Sequence, residues 1–214
     1  MPLRFTAPLV AVAALVPALA LTVDHEFPVA AAHAAAATAA PVTFAVDGAH
    51  SQVLFKVRHL GVSTVTGRFG KFTGGFTYDP QTQQGSDVAF TIDATTIDTD
   101  NERRDAHLKS PDFFETEKYP QITFASTKVE RAGAGKFRIT GNLTMHGVTK
   151  PVVLDATMQG PQKVGQQWVA GIEASGKISR KEFGLTWDRV TEGVSAVGDE
   201  ITMVVEIEAK APAQ

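Results

Sequence analysis

Cysteine is absent from all 214 residues. That excludes disulfides, thiolate metal sites, thiol catalysis and the cysteine-borne anchor of bacterial lipoproteins. Glycine is missing from the first 47 residues, since all 18 lie from Gly48 onward, and Met1 to Ala40 is dominated by alanine instead. No basic block occurs. The charge is nearly balanced, with 20 Lys and Arg against 23 Asp and Glu, a net of −3. Nucleic acid binding therefore has no electrostatic footprint. Histidines 50, 59, 107 and 146 are scattered, with no H-x-x-x-H pair to hold a metal. No G-x-S-x-G is present, and Ser51, Ser63 and Ser110 have no evident partner base. Phosphate-cradling glycine loops and fixed-period repeats are missing too.

The amino-terminal stretch has the order of a secretory signal. Arg4 precedes an apolar run from Phe5 to Val23, which Pro17 interrupts. That break argues against a membrane anchor, which needs about 20 apolar residues. Ala18-Leu19-Ala20 is a small-x-small cleavage site, and Ala32-His33-Ala34 is a second. The expected organisation is a signal peptide over 1–20, with cleavage alternatively near 34. An alanine-rich lead-in follows over 21–41, then a domain over 42–210 and a short tail over 211–214. The expected location is periplasmic or secreted.

Strand signals recur at short spacing after residue 42. Val53, Phe55, Val57 and His59 share one parity; Phe72, Gly74, Phe76 and Tyr78 share another. The same period of two returns in Val88–Ala94, Ile122–Ser126, Val169–Ser179 and Ile201–Ile207, and it predicts a further strand over 183–189. His146-Gly147 is a hairpin turn between two such runs. The pattern gives an all-β domain of roughly eight or nine antiparallel strands. Closure into a barrel removes exposed edges, and an eight-stranded barrel is either filled by side chains or holds one ligand. Thirteen phenylalanines, against two tryptophans and two tyrosines, are unusual for a filled interior.

One stretch is helical, the segment NERRDAHLKSPDFFETEKYP from Asn101 to Pro120. Thr99 and Glu102 fit a capping box, and the helix should run to about Lys109. Its i, i+3, i+4, i+7 face holds Asn101, Arg104, Asp105 and Leu108, so it reads as a plug tied down by polar contacts, with Phe113 and Phe114 as its apolar anchor. Arg104, Asp105 and His107 admit two readings, a head-group clamp or acid–base pair and a structural network. His59 likewise is either a contact at a cavity mouth or a core histidine on a backbone carbonyl.

These residues carry a family resemblance. Val57-Arg58-His59-Leu60-Gly61, Arg104-Asp105, Asp112-Phe113-Phe114, Lys118-Tyr119-Pro120, Gly141-Asn142-Leu143-Thr144, His146-Gly147-Val148-Thr149-Lys150-Pro151, Arg180, Phe183-Gly184 and Val197-Gly198-Asp199-Glu200 together resemble the YceI-like proteins over about Val42 to Ala209. The resemblance implies a lipocalin-like eight-stranded barrel with one helix between strands. It also implies an elongated apolar cavity for a polyisoprenoid or quinone-like lipid, with fatty acid amides as other amphiphiles for related members. It supplies no catalytic residues. The expected lining is Phe55, Val57, Phe90, Ile92, Phe113, Phe114, Phe124, Met203 and Val205, with His59 and Arg104 at the mouth. No cofactor, metal or nucleic acid partner is expected beyond the lipid. Transient membrane contact for lipid exchange and a homodimer both fit this reading. Two alternatives stand beside it: a stress-responsive interaction protein with a filled barrel, and an enzyme acting on a lipid head group through His107 and Asp105.

Overall fold

The computed structural model describes residues 40–213. The expected signal peptide and nearly all of the alanine-rich lead-in lie outside the described residues. In chain order the elements are β1 (Val42–Val46), β2 (Gln52–His59), β3 (Ser63–Phe69), β4 (Phe72–Asp79), β5 (Gln84–Asp93), β6 (Ile97–Asp98), the helix α1 (Glu102–Lys109), β7 (Gln121–Gly133), β8 (Lys136–Met145), β9 (Val148–Val164), β10 (Gln167–Ser179), β11 (Val190–Thr191), β12 (Val194–Ser195) and β13 (Val197–Pro212). The last strand thus runs two residues past the expected limit at 210.

Eight strands, β1, β4, β5, β7, β8, β9, β10 and β13, form one antiparallel ladder. It closes where Ala45 and Val46 of β1 pair with Lys210 and Ala209 of β13. The other half of β13 pairs with β2, from Ile201 opposite Val57 to Glu206 opposite Gln52. β2 continues to β3 and β6. The pairs β1/β2, β3/β4 and β5/β6 are therefore three long strands, each broken once by a short irregular segment. Two of the breaks are 3₁₀ turns opened by an aspartate: Asp47 accepts the Ala49 N–H, and Asp93 accepts the Thr95 N–H. Such a side chain offers the backbone a turn in place of the ladder.

The expected hairpin is present. His146 and Gly147 have φ of 52° and 74°, the left-handed pair that a tight turn between twisted strands requires. At one end of the barrel the rings of Phe44 and Phe76 stack 5.1 Å apart, packed with Ala170, Ile207, Ala209 and Ala211. At the other end α1 and the chain after it form a cap. There Phe114 meets the Phe69 ring edge-on at 6.0 Å, and Phe113 lies 5.1 Å from Trp187.

Two local expectations are corrected. Residues 183–189 are not a strand. A 3₁₀ turn (Lys181–Phe183) leads into extended chain outside the sheet. The carbonyls of Leu185 and Trp187, which a ladder would use, accept from the Arg180 side chain instead. The helix is capped by Asn101, whose side chain accepts the Arg104 N–H at 2.9 Å. Thr99 is not its cap, because its hydroxyl and N–H both donate to Asp105.

Candidate functional site

The inward residues of the barrel do not meet at its centre. They surround a cavity of about 210 Å³ whose lining includes Phe76 and Ile207 of the Phe44 cluster and Leu108, Phe113 and Phe114 of the cap. A single water needs only about 10–15 Å³, so the interior is not filled. The wall is made of aliphatic and aromatic side chains, with Tyr78 and Arg180 as its polar members. Strand alternation places Val53, Phe55 and Val57 on it from β2, and Ile201, Met203 and Val205 from β13.

Nine sequence-predicted residues lie on this wall: Phe55, Val57, Phe90, Ile92, Phe113, Phe114, Phe124, Met203 and Val205. His59 and Arg104 do not. His59 pairs with Val197, but a bulge in β13 between Val197 and Ile201 breaks the alternation there, and His59 is exposed. Arg104 is also exposed. Its Nε donates to the Thr99 hydroxyl at 2.7 Å and its Nη2 to the Thr99 carbonyl at 2.6 Å, which pins α1 to the rim. The helix presents Leu108 to the cavity instead.

Polar contacts of the cap are distributed among separate partners. His107 Nε2 lies 2.8 Å from Asp112, and its ring packs edge-on against Phe113 and Trp187. Asp105 is engaged by Thr99, so His107 and Asp105 do not form the acid–base pair of the enzymatic alternative. Neither lines the cavity. Below the cap, His146 packs against Tyr119 at 4.9 Å and places Nδ1 3.2 Å from the Phe183 carbonyl. Its buried Nε2 has no hydrogen-bond partner among the described residues, with Glu115 at 3.6 Å.

Sequence reasoning gave no role to Arg180. It is 3% exposed, and burial pulls its guanidinium below the ordinary value against the opposing fields of Asp188 and Asp199. The available signal was its position, a charged residue directly after the alternating strand Val169–Ser179. Away from the cavity, Asp47, His50 and Glu208 converge on the barrel seam in a spacing that suits a cation. The Lys210 ammonium already binds Asp47 and sits 3.1 Å from Glu208, which supplies the positive charge between them.

Comparison with known proteins places these features. A family model described as the YceI-like domain matches residues 44–209. Protein YceI of Escherichia coli O157:H7 is 40% identical over 177 residues, which cover 82% of this chain and 89% of the relative. The crystal structure of BcnA from Burkholderia cenocepacia superposes with a TM-score of 0.67 at 26% identity, over 76% of this chain and 98% of that one. A structure from Saccharophagus degradans, described as a polyisoprenoid binding domain implicated in plant cell wall breakdown, has a TM-score of 0.59. It covers 80% of this chain and 99% of its own, and at 15% identity it shows the shared fold alone.

Proposed function

The chain belongs to the YceI-like domain family, and on that premise we propose that it binds a long amphiphilic lipid, a polyisoprenoid or isoprenoid quinone, in the barrel cavity. It acts without catalysis, as a carrier or sequestering protein of the periplasm, exported by its amino-terminal signal. The observation that carries this reading is the cavity itself, an apolar interior of about 210 Å³ with Arg180 as the one charged side chain on its wall among the described residues.

The energetics agree. An isoprene unit contributes up to about 4 kcal/mol on burial, at roughly 0.8 kcal/mol per CH₂. A few units exceed the several kcal/mol lost to association and chain ordering. Tight binding needs no charged partner; polar groups at one end only set orientation. The polyisoprenoid-binding description of the Saccharophagus degradans domain supports the same ligand class on the same fold.

Four exposed apolar residues sit near the end of the cavity. Leu60 and Val62 follow β2, Val190 and Val194 belong to the β11–β12 hairpin, and the Leu60 N–H donates to the Ala196 carbonyl at 3.2 Å, beside the wall residue Val197. They support transient contact with a lipid surface during exchange.

The test is direct. Protein purified without detergent from its own host is extracted with organic solvent, and the extract is analysed by mass spectrometry. A stoichiometric isoprenoid lipid is expected. Repeated recovery of protein with no lipid, under conditions where added isoprenoids also fail to bind, would overturn the proposal.

A further inference from the structure

Two side chains face each other at the base of the cap with one proton missing between them. His146 opens the β8–β9 turn, and its Nδ1 lies 3.2 Å from the Phe183 carbonyl. A carbonyl only accepts, so Nδ1 carries the hydrogen and Nε2 of the neutral ring is left with a lone pair. That atom is buried and has no partner among the described residues. Glu115 Oε2 lies 3.6 Å from it and is an acceptor as well. The ring is held in place. It packs on Tyr119 at 4.9 Å, and the Gly184 backbone comes so close that a Cβ there would lie 3.1 Å from Nδ1. Both residues also sit in the left-handed region, His146 at φ 52° and Glu115 at φ 46°. Glycine at either position would make the same turn with less strain, so the strain is kept where these two side chains meet. Other charges lie around the pair. Lys118 Nζ is exposed, 3.8 Å from the same Glu115 oxygen and over the Tyr119 ring. Lys181 and Glu182 of the 3₁₀ turn are exposed, Arg180 is bound to carbonyls, and Lys150 of β9 is half-buried. Among the described residues none of these four pairs with His146 or Glu115.

We propose that His146 and Glu115 are a proton-operated latch on the cap. One proton taken up from solvent at Nε2 turns two facing acceptors into a charge-assisted N–H···O bond. Glu115 directly follows Phe113 and Phe114, so the bond ties the cap residues of the cavity wall to the β8–β9 turn. The closed latch binds a proton that the open one does not hold, so falling pH favours closure and rising pH favours release. Histidine changes charge within about pH 5–8, which sets the working range. The consequence for transport rests on the lipid-binding reading above: a cap latched in acid slows entry and exit of the lipid, and a cap released at higher pH speeds them. The latch itself needs no lipid.

The experiment follows amide hydrogen exchange of the delipidated protein from pH 5 to pH 8, corrected for intrinsic rates and referred to amides of β9 and β10. The Phe114 and Glu115 N–H groups donate to the Leu108 and Ser110 carbonyls and report opening of the cap. Their protection is expected to rise about threefold or more from pH 8 to pH 5, while nitrogen spectra show His146 Nε2 gaining its proton over the same range. Flat protection overturns the latch and leaves His146 a structural residue. Glu115→Gln gives a sharper contrast, because its amide can donate to Nε2 with no added proton. Its protection at pH 8 is expected to match the wild type at pH 5 and to lose its pH dependence, which a merely structural glutamate would not produce. Retained pH dependence overturns the pairing. His146→Asn keeps a residue suited to the turn and is expected to stay at the open level throughout. If a variant fails to fold, the two wild-type measurements decide. Exchange of a fluorescent prenyl probe is then timed at both pH values. Slower exchange at pH 5 is expected, and equal rates overturn the gating role. Failure of the probe to bind at either pH removes the lipid reading and leaves the latch standing.

Discussion

Asp105 accepts two hydrogen bonds from Thr99, one from its N–H at 2.9 Å and one from its hydroxyl at 2.5 Å. Arg104, its neighbour, donates back to the same threonine. One buried threonine just after β6 thus holds the capping helix through both Arg104 and Asp105. Asp105→Ala removes two charge-assisted bonds and leaves Thr99 donors unmatched. A loss of about 2–3 kcal/mol in urea unfolding is expected, together with faster lipid exchange through a looser cap. Unchanged stability and exchange would show that the cap is held by Leu108, Phe113 and Phe114 alone.

Gly141 in β8 is a position where the barrel has no room for a side chain. A Cβ there would sit 2.4 Å from Phe124 Cζ and 2.6 Å from the Ala125 carbonyl oxygen. The carbonyl belongs to the ladder and cannot withdraw. Gly141→Ala should cost about 1–3 kcal/mol by overpacking, and it should weaken lipid binding by driving Phe124 inward. Gly171 is the control, since its Cβ would meet only Gln159 Cβ at 3.9 Å. Gly171→Ala is expected to be neutral or to stabilise by up to about 1 kcal/mol. Thermal or urea melts of the two variants check the contrast.

The seam of the barrel is pH-sensitive. Asp47 accepts from Lys210, from His50 at 2.9 Å and from the Ala49 N–H at 3.0 Å, and these bonds, that of Lys210 foremost, hold its carboxyl well below the ordinary value of 3.8. A depressed carboxylate adds stability that is fully present above its ordinary value and is lost as pH falls through the depressed one. Lys210 is raised above 10.5, chiefly by Asp47, so its contribution is present below 10.5 and is lost as pH rises through the raised value. Asp47→Asn should therefore flatten both the acid and the alkaline limb of a melting-temperature profile. Retention of both limbs would move their origin elsewhere.

The exposed valines near the cavity end give a kinetic prediction. Val62 is 79% exposed and Val190 63%. Val62→Asp combined with Val190→Asp should slow lipid uptake from vesicles by about tenfold or more while leaving equilibrium affinity for a soluble prenyl probe unchanged. Equal uptake rates would separate this rim from membrane contact.

The sequence by itself determined most of the strands, the plug and the turn, though not the 183–189 segment, whose carbonyls Arg180 takes. Alternation from Val53 to Val57 and from Ile201 to Ile207 fixed which side chains face inward, because a strand has period two whatever lies opposite. His146-Gly147 fixed one hairpin, and Leu108, Phe113 and Phe114 marked the cap. Closure decided the rest. Period two tells which face is inward, but barrel radius and register decide whether that face meets packed side chains or open space. A bulge opposite His59 turned it to solvent, and Thr99 drew Arg104 to the rim. Among the described residues Arg180 became the single charge on the wall because carbonyls from two separate segments converge on it, a long-range coincidence that no local pattern encodes.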